Sequence, residues 1–145
     1  MKLQATYTLP VSRERLWELL LTPEELQQCL PGCERLTQVG PDTYEATLTI
    51  GVAAVKGTYT GRLQILDQEP PSRCRLRIEG TGTSGFVRGE AVLLLGEDPA
   101  GTTLAIDADA QVGGLIASVG QRMLGGVARM LLGEFIRRVE ARLAR

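Results

Sequence analysis

Apolar and polar side chains alternate over Lys2–Leu9, which predicts a strand with one buried face. The spacing then changes to that of helices. Ser12 is suited to cap a short helix over Arg13–Leu21, and Pro23 stands where proline fits the first turn of a second helix. Pro31-Gly32 predicts the end of that second helix, so two short helices follow the first strand.

Strand periodicity then continues almost without interruption to Val112. The alternating segments cover residues 36–39, 44–52, 58–65, 73–79, 86–95 and 104–111, and turns rich in glycine and proline separate several of them. Because short turns join consecutive segments, the pattern predicts an antiparallel meander. Alternation of this kind indicates that one face of the sheet contacts a core while the other faces water.

Apolar residues return to helical spacing between Gly114 and Leu143. A continuous helix of this length would span about 45 Å, long enough to cross the domain. The apolar face of a sheet must be buried against another element, and this helix is the element large enough to pack against it. The order of elements therefore predicts an α+β helix-grip fold: a curved seven-stranded antiparallel sheet wrapped around a long C-terminal helix, with two short helices after strand 1. We expect residues 1–145 to form a single domain.

The amino-acid composition excludes several kinds of catalytic and metal-binding site. The chain has 145 residues, no histidine and a formal net charge of −1. Histidine-dependent triads and histidine-ligated metals are excluded, and we expect no nucleic-acid partner because there is no global basic field. The three cysteines lack a second pair to complete a zinc site. We expect no metal and no cofactor. A cytoplasmic location is expected because no secretory pattern or apolar run of about 18 residues occurs.

Positive charge is concentrated near the C-terminus. Gly113–Arg145 carries six arginines and two glutamates. Such a segment fits transient contact with an anionic membrane surface, which would place the protein peripherally at the inner membrane face. A solvated helix face explains the same pattern without any partner. The arginines considered for this contact are Arg122, Arg129, Arg137, Arg142 and Arg145.

Several segments together resemble the CoxG family of carbon monoxide dehydrogenase subunits, which belongs to the START/Bet v1-like (SRPBCC) superfamily. They are Leu30-Pro31-Gly32-Cys33, Gly51–Gly61, Gly80–Gly89 and Ala108–Gly114, the last leading into Leu115–Gly120. The resemblance covers nearly the whole chain. It implies a protein that is accessory to molybdenum hydroxylases of the carbon monoxide dehydrogenase type. It also implies association with the membrane and a hydrophobic ligand such as a quinone, and it does not imply catalysis.

The inward-facing positions predict a binding site for an apolar ligand, quinone-like or lipid-like, between the sheet and the long helix. Aromatic residues make up only 4% of the chain, so few bulky side chains are available to fill this space. Methionine at two helix positions suits a ligand of irregular shape, although ordinary core packing explains it equally simply. The predicted lining residues are Leu48, Ile50, Tyr59, Leu63, Ile78, Leu104, Ile106, Met123, Val127 and Met130.

Glu134 is the one carboxylate predicted on the apolar side of the helix. We consider it a candidate hydrogen-bond partner for a ligand carbonyl or hydroxyl; pairing with Arg138 four residues later, or a helix end in solvent, is the alternative. Asp107 and Asp109 share a strand face, but the register predicts that both point to solvent. Gly80-x-Gly82-x-x-Gly85 is predicted to be a hairpin loop, because strands flank it on both sides; a mobile lid or portal loop is the alternative.

Glycines at four positions of the long helix leave two interpretations open. Glycine in a helix interior costs about 1 kcal/mol relative to alanine. It either lets the helix lie close on the sheet, or it permits bending and leaves room for a ligand. The glycines are Gly120, Gly125, Gly126 and Gly133.

These observations favour a non-enzymatic binding protein, and two alternatives stay open. The first is a cyclase or hydrolase that uses carboxylates in the same cavity; the lack of histidine weighs against it. The second is an assembly factor that has a solid core and docks on an enzyme subunit without a ligand. A cavity smaller than about 300 Å³ would favour the second alternative.

Overall fold

The computed structural model describes residues 1–52 and 55–144. Within these residues it has seven strands, three α-helices and a 3₁₀ helix that precedes the last α-helix. Their bounds are β1 (Lys2–Leu9), α1 (Arg13–Leu20), α2 (Pro23–Cys29), β2 (Cys33–Gly40), β3 (Thr43–Ile50), β4 (Gly57–Glu69), β5 (Arg73–Gly82), β6 (Gly85–Asp98), β7 (Gly101–Gly113), the 3₁₀ helix (Leu115–Val119) and α3 (Gln121–Leu143). This is the predicted helix-grip fold, and the order of elements is confirmed.

All seven strands belong to one antiparallel sheet in the order β1-β7-β6-β5-β4-β3-β2. The six strands β2–β7 form a meander, and β1 returns to pair with β7, where Leu3 lies opposite Ala108. Strands β4 to β7 extend beyond the predicted segments by several residues. Near the hairpin ends both faces of a strand meet water, so the hydrophobic alternation fades before the hydrogen bonding does.

Glycine allows the backbones of neighbouring strands to approach closely in the middle of the sheet. A Cβ atom on Gly61 of β4 would collide with the carbonyl oxygen of Glu79 on β5. A Cβ atom on Gly89 of β6 would lie 2.5 Å from the carbonyl oxygen of Asp109 on β7. Glycines at such positions permit the bending by which a sheet becomes concave.

The predicted continuous C-terminal helix is wrong in one respect. Gly120 adopts φ +90°, a left-handed conformation that interrupts the helix, and Gly114 adopts φ +80° just before the 3₁₀ helix. The α-helix proper therefore has 23 residues and spans about 35 Å. The apolar periodicity passes through the break because the 3₁₀ helix also buries a side chain, that of Ile116.

The main core fills one half of the space under the sheet. It joins α1, α2 and the C-terminal half of α3 to the concave face. Its members include Leu9, Leu16, Trp17, Leu19, Tyr44, Ile65, Cys74, Leu95, Leu104, Ile136 and Val139. Val55, Ile116 and Leu124 form a second, smaller cluster at the other end of the groove, where α3 begins. The two ends of the space between the sheet and α3 are thus packed very differently.

An ion cluster ties the three helices together at the filled end. Arg15 of α1 donates two hydrogen bonds to Glu25 of α2, and its shorter N–O distance is 2.6 Å. The Nε atom of Arg142, in the last turn of α3, lies 3.5 Å from the same carboxylate. The hydrogen bonds from Arg15 hold the pKa of Glu25 below its usual value, so this carboxylate stays ionised where the helices meet.

The glycines inside α3 do not serve close packing. A Cβ atom on Gly125 or Gly126 would meet nothing within 4 Å beyond the helix's own nearby backbone, and one on Gly133 would touch only the flexible end of Arg137 at 3.7 Å. Of the two interpretations above, close approach to the sheet is therefore not supported. The other interpretation, that these glycines let α3 bend or leave room for a ligand, stays a prediction.

Gly126→Ala is expected to raise the free energy of unfolding by about 1 kcal/mol, because alanine restores helix propensity and its methyl group enters open space. Urea denaturation of purified variants measures this effect. Gly120→Ala is the matched control and should destabilise the protein by about 1 kcal/mol, since φ +90° is unfavourable for alanine. A destabilised Gly126→Ala variant would contradict the open space assigned to this face.

Candidate ligand-binding groove

The concave face of the sheet carries seven of the predicted lining residues. The register pairs Leu48 with Tyr59 and Leu63 with Ile78 across neighbouring strands, so their side chains share a face. Cys74 lies on the same face as Ile78, and it is 2% exposed in the main core. The seven residues are Leu48, Ile50, Tyr59, Leu63, Ile78, Leu104 and Ile106.

Two of these residues do not line vacant space. Leu104 is 1% exposed and Ile106 is 9% exposed, and both belong to the main core. Leu63 packs at the margin of that core. The prediction that Leu104 and Ile106 line the ligand space is corrected, because α1, α2 and the end of α3 supply enough apolar side chains to cover them.

Ile50, Tyr59 and Val127 surround the second cluster at the start of α3. The phenol of Tyr59 donates a hydrogen bond of 2.7 Å to the carbonyl oxygen of Val55. Burial raises the pKa of this phenol, which keeps it a neutral donor. Tyr59 thus closes one end of the groove, and its hydroxyl is already engaged with the backbone.

Ile78 marks the part of the concave face that the protein leaves open. Its exposed fraction is 41%, although the preceding inward residues of β5 belong to or pack against the main core. Leu63 lies opposite it on β4, but Gly89 lies opposite it on β6, and several inward positions nearby carry only a methyl group or no side chain. These small inward residues are Ala46, Gly61, Gly80, Gly89 and Ala110.

Met123 and Met130 do not face the sheet. Their exposed fractions are 52% and 49%, and helical spacing places them on the outer side of α3, opposite its buried stripe. Leu124, directly beside Met123, is the buried residue of that turn. The prediction that the two methionines line the interior is therefore corrected. A seven-residue spacing identifies a shared helix face but does not say which way that face points.

Glu134 is paired with arginine at the surface. Arg137 donates a hydrogen bond of 2.6 Å to one of its oxygens, and Arg138 donates one of 3.1 Å to the other. These hydrogen bonds hold the pKa of Glu134 below its usual value, so the group is an ionised acceptor that is already occupied. The structure matches the alternative of pairing with Arg138 and gives no support to a contact with a buried ligand.

A cleft of about 370 Å³ opens between β7 and the start of α3. Inward-facing Ala110 and Val112 form one wall, and Leu124 forms the other. The remaining lining residues are Met1, Gln111, Ala117 and Gln121. The sequence pattern alone did not predict this cleft, although the alternation along β7 places Ala110 and Val112 on the inward face.

Other concavities lie away from the concave face. The largest described, about 510 Å³, lies on the outer surface of β2–β4 and is lined by polar residues such as Arg35, Glu45 and Arg62. A second, of about 380 Å³, lies beside α2 and includes Thr49 and Arg138. Both have charged residues in their linings, whereas the cleft beside Leu124 is lined by five apolar residues and two glutamines.

The titratable groups offer little chemistry. Asp107 and Asp109 are exposed, as their register predicted. Burial raises the pKa of the Cys74 thiol to about 11, so this thiol stays protonated and unreactive near neutral pH. Among residues 1–52 and 55–144, no group of three or more Cys, Asp or Glu side chains is arranged to hold a metal ion. In the same residues, no helix has the length and hydrophobicity to cross a membrane.

The sequence profile of the CoxG family of carbon monoxide dehydrogenase subunits matches residues 6–144. The chain belongs to the CoxG family. A crystal structure of a conserved protein from Geobacillus kaustophilus is 37% identical, with a TM-score of 0.96 over 99% of this chain and 95% of that chain. No functionally curated protein matches the sequence.

More distant structures share the fold alone. A putative uncharacterized protein from Rhizobium leguminosarum is 14% identical, with a TM-score of 0.78 over all of this chain and 95% of that one. Protein Ms6760 from Mycobacterium smegmatis is 16% identical, with a TM-score of 0.75 over 99% of this chain and 90% of that one. The helix-grip fold of this CoxG protein is therefore shared with proteins of quite different sequence.

Some glycines of the segments that carry the CoxG resemblance lie where the chain turns. Gly32 adopts φ +73°, and its carbonyl oxygen accepts a hydrogen bond of 2.9 Å from the N–H of Thr49 on β3. A Cβ atom there would collide with the carbonyl oxygen of Thr49, so glycine is required. Gly82 pairs with Gly85 in the β5–β6 hairpin, which confirms the predicted loop. Residues 53 and 54 of the Gly51–Gly61 segment lie outside the described residues.

Proposed function

We propose that this CoxG protein is a non-catalytic binding protein for an apolar ligand, quinone-like or lipid-like, and serves a carbon monoxide dehydrogenase-type molybdenum hydroxylase. Membership of the CoxG family supports the association with that enzyme. The ligand would lie on the concave face between Ile78 and the start of α3. It would be exchanged at an anionic membrane surface.

The observation that carries this proposal is the exposure of Ile78. A protein that needed only a stable core would cover an isoleucine on the concave face of its sheet, because each buried aliphatic side chain contributes about 1.5–3 kcal/mol. Here the side chain is 41% exposed, with Leu63 opposite it on one neighbouring strand and only Gly89 opposite it on the other. The cleft of about 370 Å³ beside Leu124 exceeds the smallest volume typical of ligand pockets, about 300 Å³.

A binding role accounts for the remaining groups better than catalysis does. Asp107 and Asp109 point away from the concave face, and Glu134 is occupied by two arginines. The chain has no histidine to act as a general base. None of these three carboxylates is therefore free in the groove to serve a carboxylate-dependent reaction.

Filling the groove tests the proposal. The Gly80→Leu substitution adds an isobutyl group to the floor, where a Cβ atom would meet only the carbonyl oxygen of Thr60 at 4.0 Å. Thr81→Leu adds the same group on the outer face of the same strand. Native mass spectrometry followed by organic extraction identifies any apolar molecule that copurifies. Equilibrium dialysis against a short-chain benzoquinone measures binding directly.

We expect the unmodified protein and Thr81→Leu to bind equally, and Gly80→Leu to lose at least tenfold in affinity, because its side chain occupies the ligand's place. Circular dichroism confirms that all three are folded. Absence of any copurifying apolar molecule, together with no saturable quinone binding, would rule out the ligand. The alternative of an assembly factor without a ligand would then stand.

A further inference from the structure

Two rows of opposite charge run along the outer face of the sheet, which is the face away from α3. Arg75 and Arg77 point outward from β5, since the residues that alternate with them lie on the concave face. Asp107 and Asp109 point outward from β7 for the same reason. Strand β6 lies between the two rows, so about 10 Å separates them. Neither aspartate forms a salt bridge with another described residue.

The basic row has partners within the chain but keeps donors in reserve. Glu90 of β6 lies 3.6 Å from Arg75 and 3.1 Å from Arg77, and Asp67 lies 3.1 Å from Arg75. The side chains of the two arginines are nevertheless 37% and 45% exposed. Each guanidinium group has five N–H donors, more than these carboxylates occupy, so both arginines can bind a further acid from outside.

Apolar side chains occupy the strand between the two charged rows. Val92 lies directly between Arg75 and Asp107 in the register, and Leu94 follows it on the outer face of β6. Leu94 is 47% exposed, so much of its apolar surface stays in contact with water. We call this part of the outer face the β6 patch; its residues are Arg75, Arg77, Glu90, Val92, Leu94, Asp107 and Asp109.

A basic row and an acidic row at equal distances from a central apolar row form a self-complementary surface. If two sheets face each other across a two-fold axis that runs along β6, each row of one copy lies over the opposite row of the other. Arg75 of one copy then faces Asp107 of the other, and Arg77 faces Asp109. Facing sheets pack about 10 Å apart, a distance that an arginine and an aspartate side chain can span together.

The residues of β6 itself lie on this axis and meet their own copies. Val92 and Leu94 would pack on the same residues of the second copy, which removes their apolar surface from water. Glu90 would face the second copy's Glu90, and its salt bridges to Arg75 and Arg77 offset the repulsion between the two carboxylates.

We propose that this protein forms a two-fold symmetric dimer through the β6 patch. A second copy fits this surface because it presents both charged rows at the matching spacing, which an unrelated surface has no reason to do. A patch on three strands is smaller than a standard interface, so the dimer is weak and forms as the protein concentration rises. The dimer does not rest on the proposed function: Ile78 lies on the opposite face of the sheet, and the groove stays open in both copies.

Sedimentation velocity of the full chain over a range of concentrations tests the dimer. We expect the average mass to rise towards twice that of one chain as the concentration increases. Arg77→Glu and Asp109→Arg should each weaken dimerisation about tenfold, because each places like charges opposite one another at two points of the interface. Leu94→Ser should weaken it by a similar factor. Arg35→Glu and Val39→Ser are the controls on the edge strand β2, where Val39 is 46% exposed, and neither should change dimerisation.

The two charge reversals also predict a specific heterodimer. When the variants are mixed, the acid introduced at position 77 of one copy faces the arginine introduced at position 109 of the other. Asp109 of the first copy faces Arg77 of the second, so both contacts regain opposite charges. Each variant alone should therefore dimerise poorly, and an equimolar mixture should dimerise as the unmodified protein does. Circular dichroism confirms that both are folded, and a merely misfolded variant would not recover on mixing.

A chain that stays monomeric at every concentration would overturn the proposal and leave the β6 patch to a different protein. A dimer that neither charge reversal weakens, or two variants that dimerise no better together than apart, would overturn it as well. Titration with a short-chain benzoquinone separates this proposal from the proposed function. Leu94→Ser should bind the quinone as the unmodified protein does, so failure of the dimer and failure of the ligand are distinguishable.

Discussion

Gly61→Ala is expected to destabilise the protein by about 3 kcal/mol, although alanine is one methyl group larger and favours strands slightly more than glycine does. The added Cβ atom would overlap the backbone of β5 at Glu79 and approach the Cα atom of Gly80 within 2.9 Å. Backbone atoms cannot rotate away as a side chain can, so the two strands must separate. Urea denaturation followed by circular dichroism measures the loss.

Gly80→Ala provides the matched control, because Gly80 lies directly opposite Gly61 in the register. A Cβ atom there would meet only the carbonyl oxygen of Thr60, at 4.0 Å. The substitution should be neutral or should stabilise the protein by about 0.5 kcal/mol. Equal effects of the two substitutions would contradict the assignment of Gly61 to the close approach that bends the sheet.

Leu104→Ala is expected to cost about 3 kcal/mol, since the side chain is 1% exposed and packed on all sides by the main core. Its removal leaves a cavity that the surrounding core residues cannot fill without moving. Ile78→Ala, on the same concave face, should cost less than about 1 kcal/mol in the ligand-free protein. Its side chain is 41% exposed, so much of its surface is already in water.

The losses in free energy of unfolding caused by these two substitutions thus compare the filled half of the space under the sheet with its open half. Denaturation curves with a common slope would report the two free energies on one scale. Comparable losses for Leu104→Ala and Ile78→Ala would mean that the groove is closed in solution. The space for a ligand would then be absent, and the proposed function would fail with it.

This division also describes how a protein of this size can be stable and still leave a surface open for the proposed ligand. Trp17, Leu19 and Val139 anchor the filled end, where Glu25 ties α1 and α2 to the last turn of α3. The opposite end relies on a cluster of three buried residues around Ile116. Ligand exchange at the weakly packed end need not disturb the strongly packed one.

The local pattern determined most of the fold and the family. Alternation placed the strands, Ser12 and Pro23 marked the short helices, and Leu30-Pro31-Gly32-Cys33 with the later glycine segments identified a CoxG protein. Each of these depends on neighbours in sequence. The direction of the side chains repeats every two residues in a strand and every 3.6 residues in a helix, and a glycine changes the backbone freedom at its own position.

The tertiary structure alone decided how the space under the sheet is shared. The sequence placed Leu104 and Ile78 on one face as similar aliphatic positions, yet the first is buried in the main core and the second is 41% exposed. It likewise grouped Met123 and Met130 without giving the direction of their face, and it could not show that Arg137 and Arg138 occupy Glu134. Burial of a side chain depends on the position of elements that are distant in the sequence, because residues of those elements cover it. Hydrophobic periodicity depends only on residues within the same strand or helix.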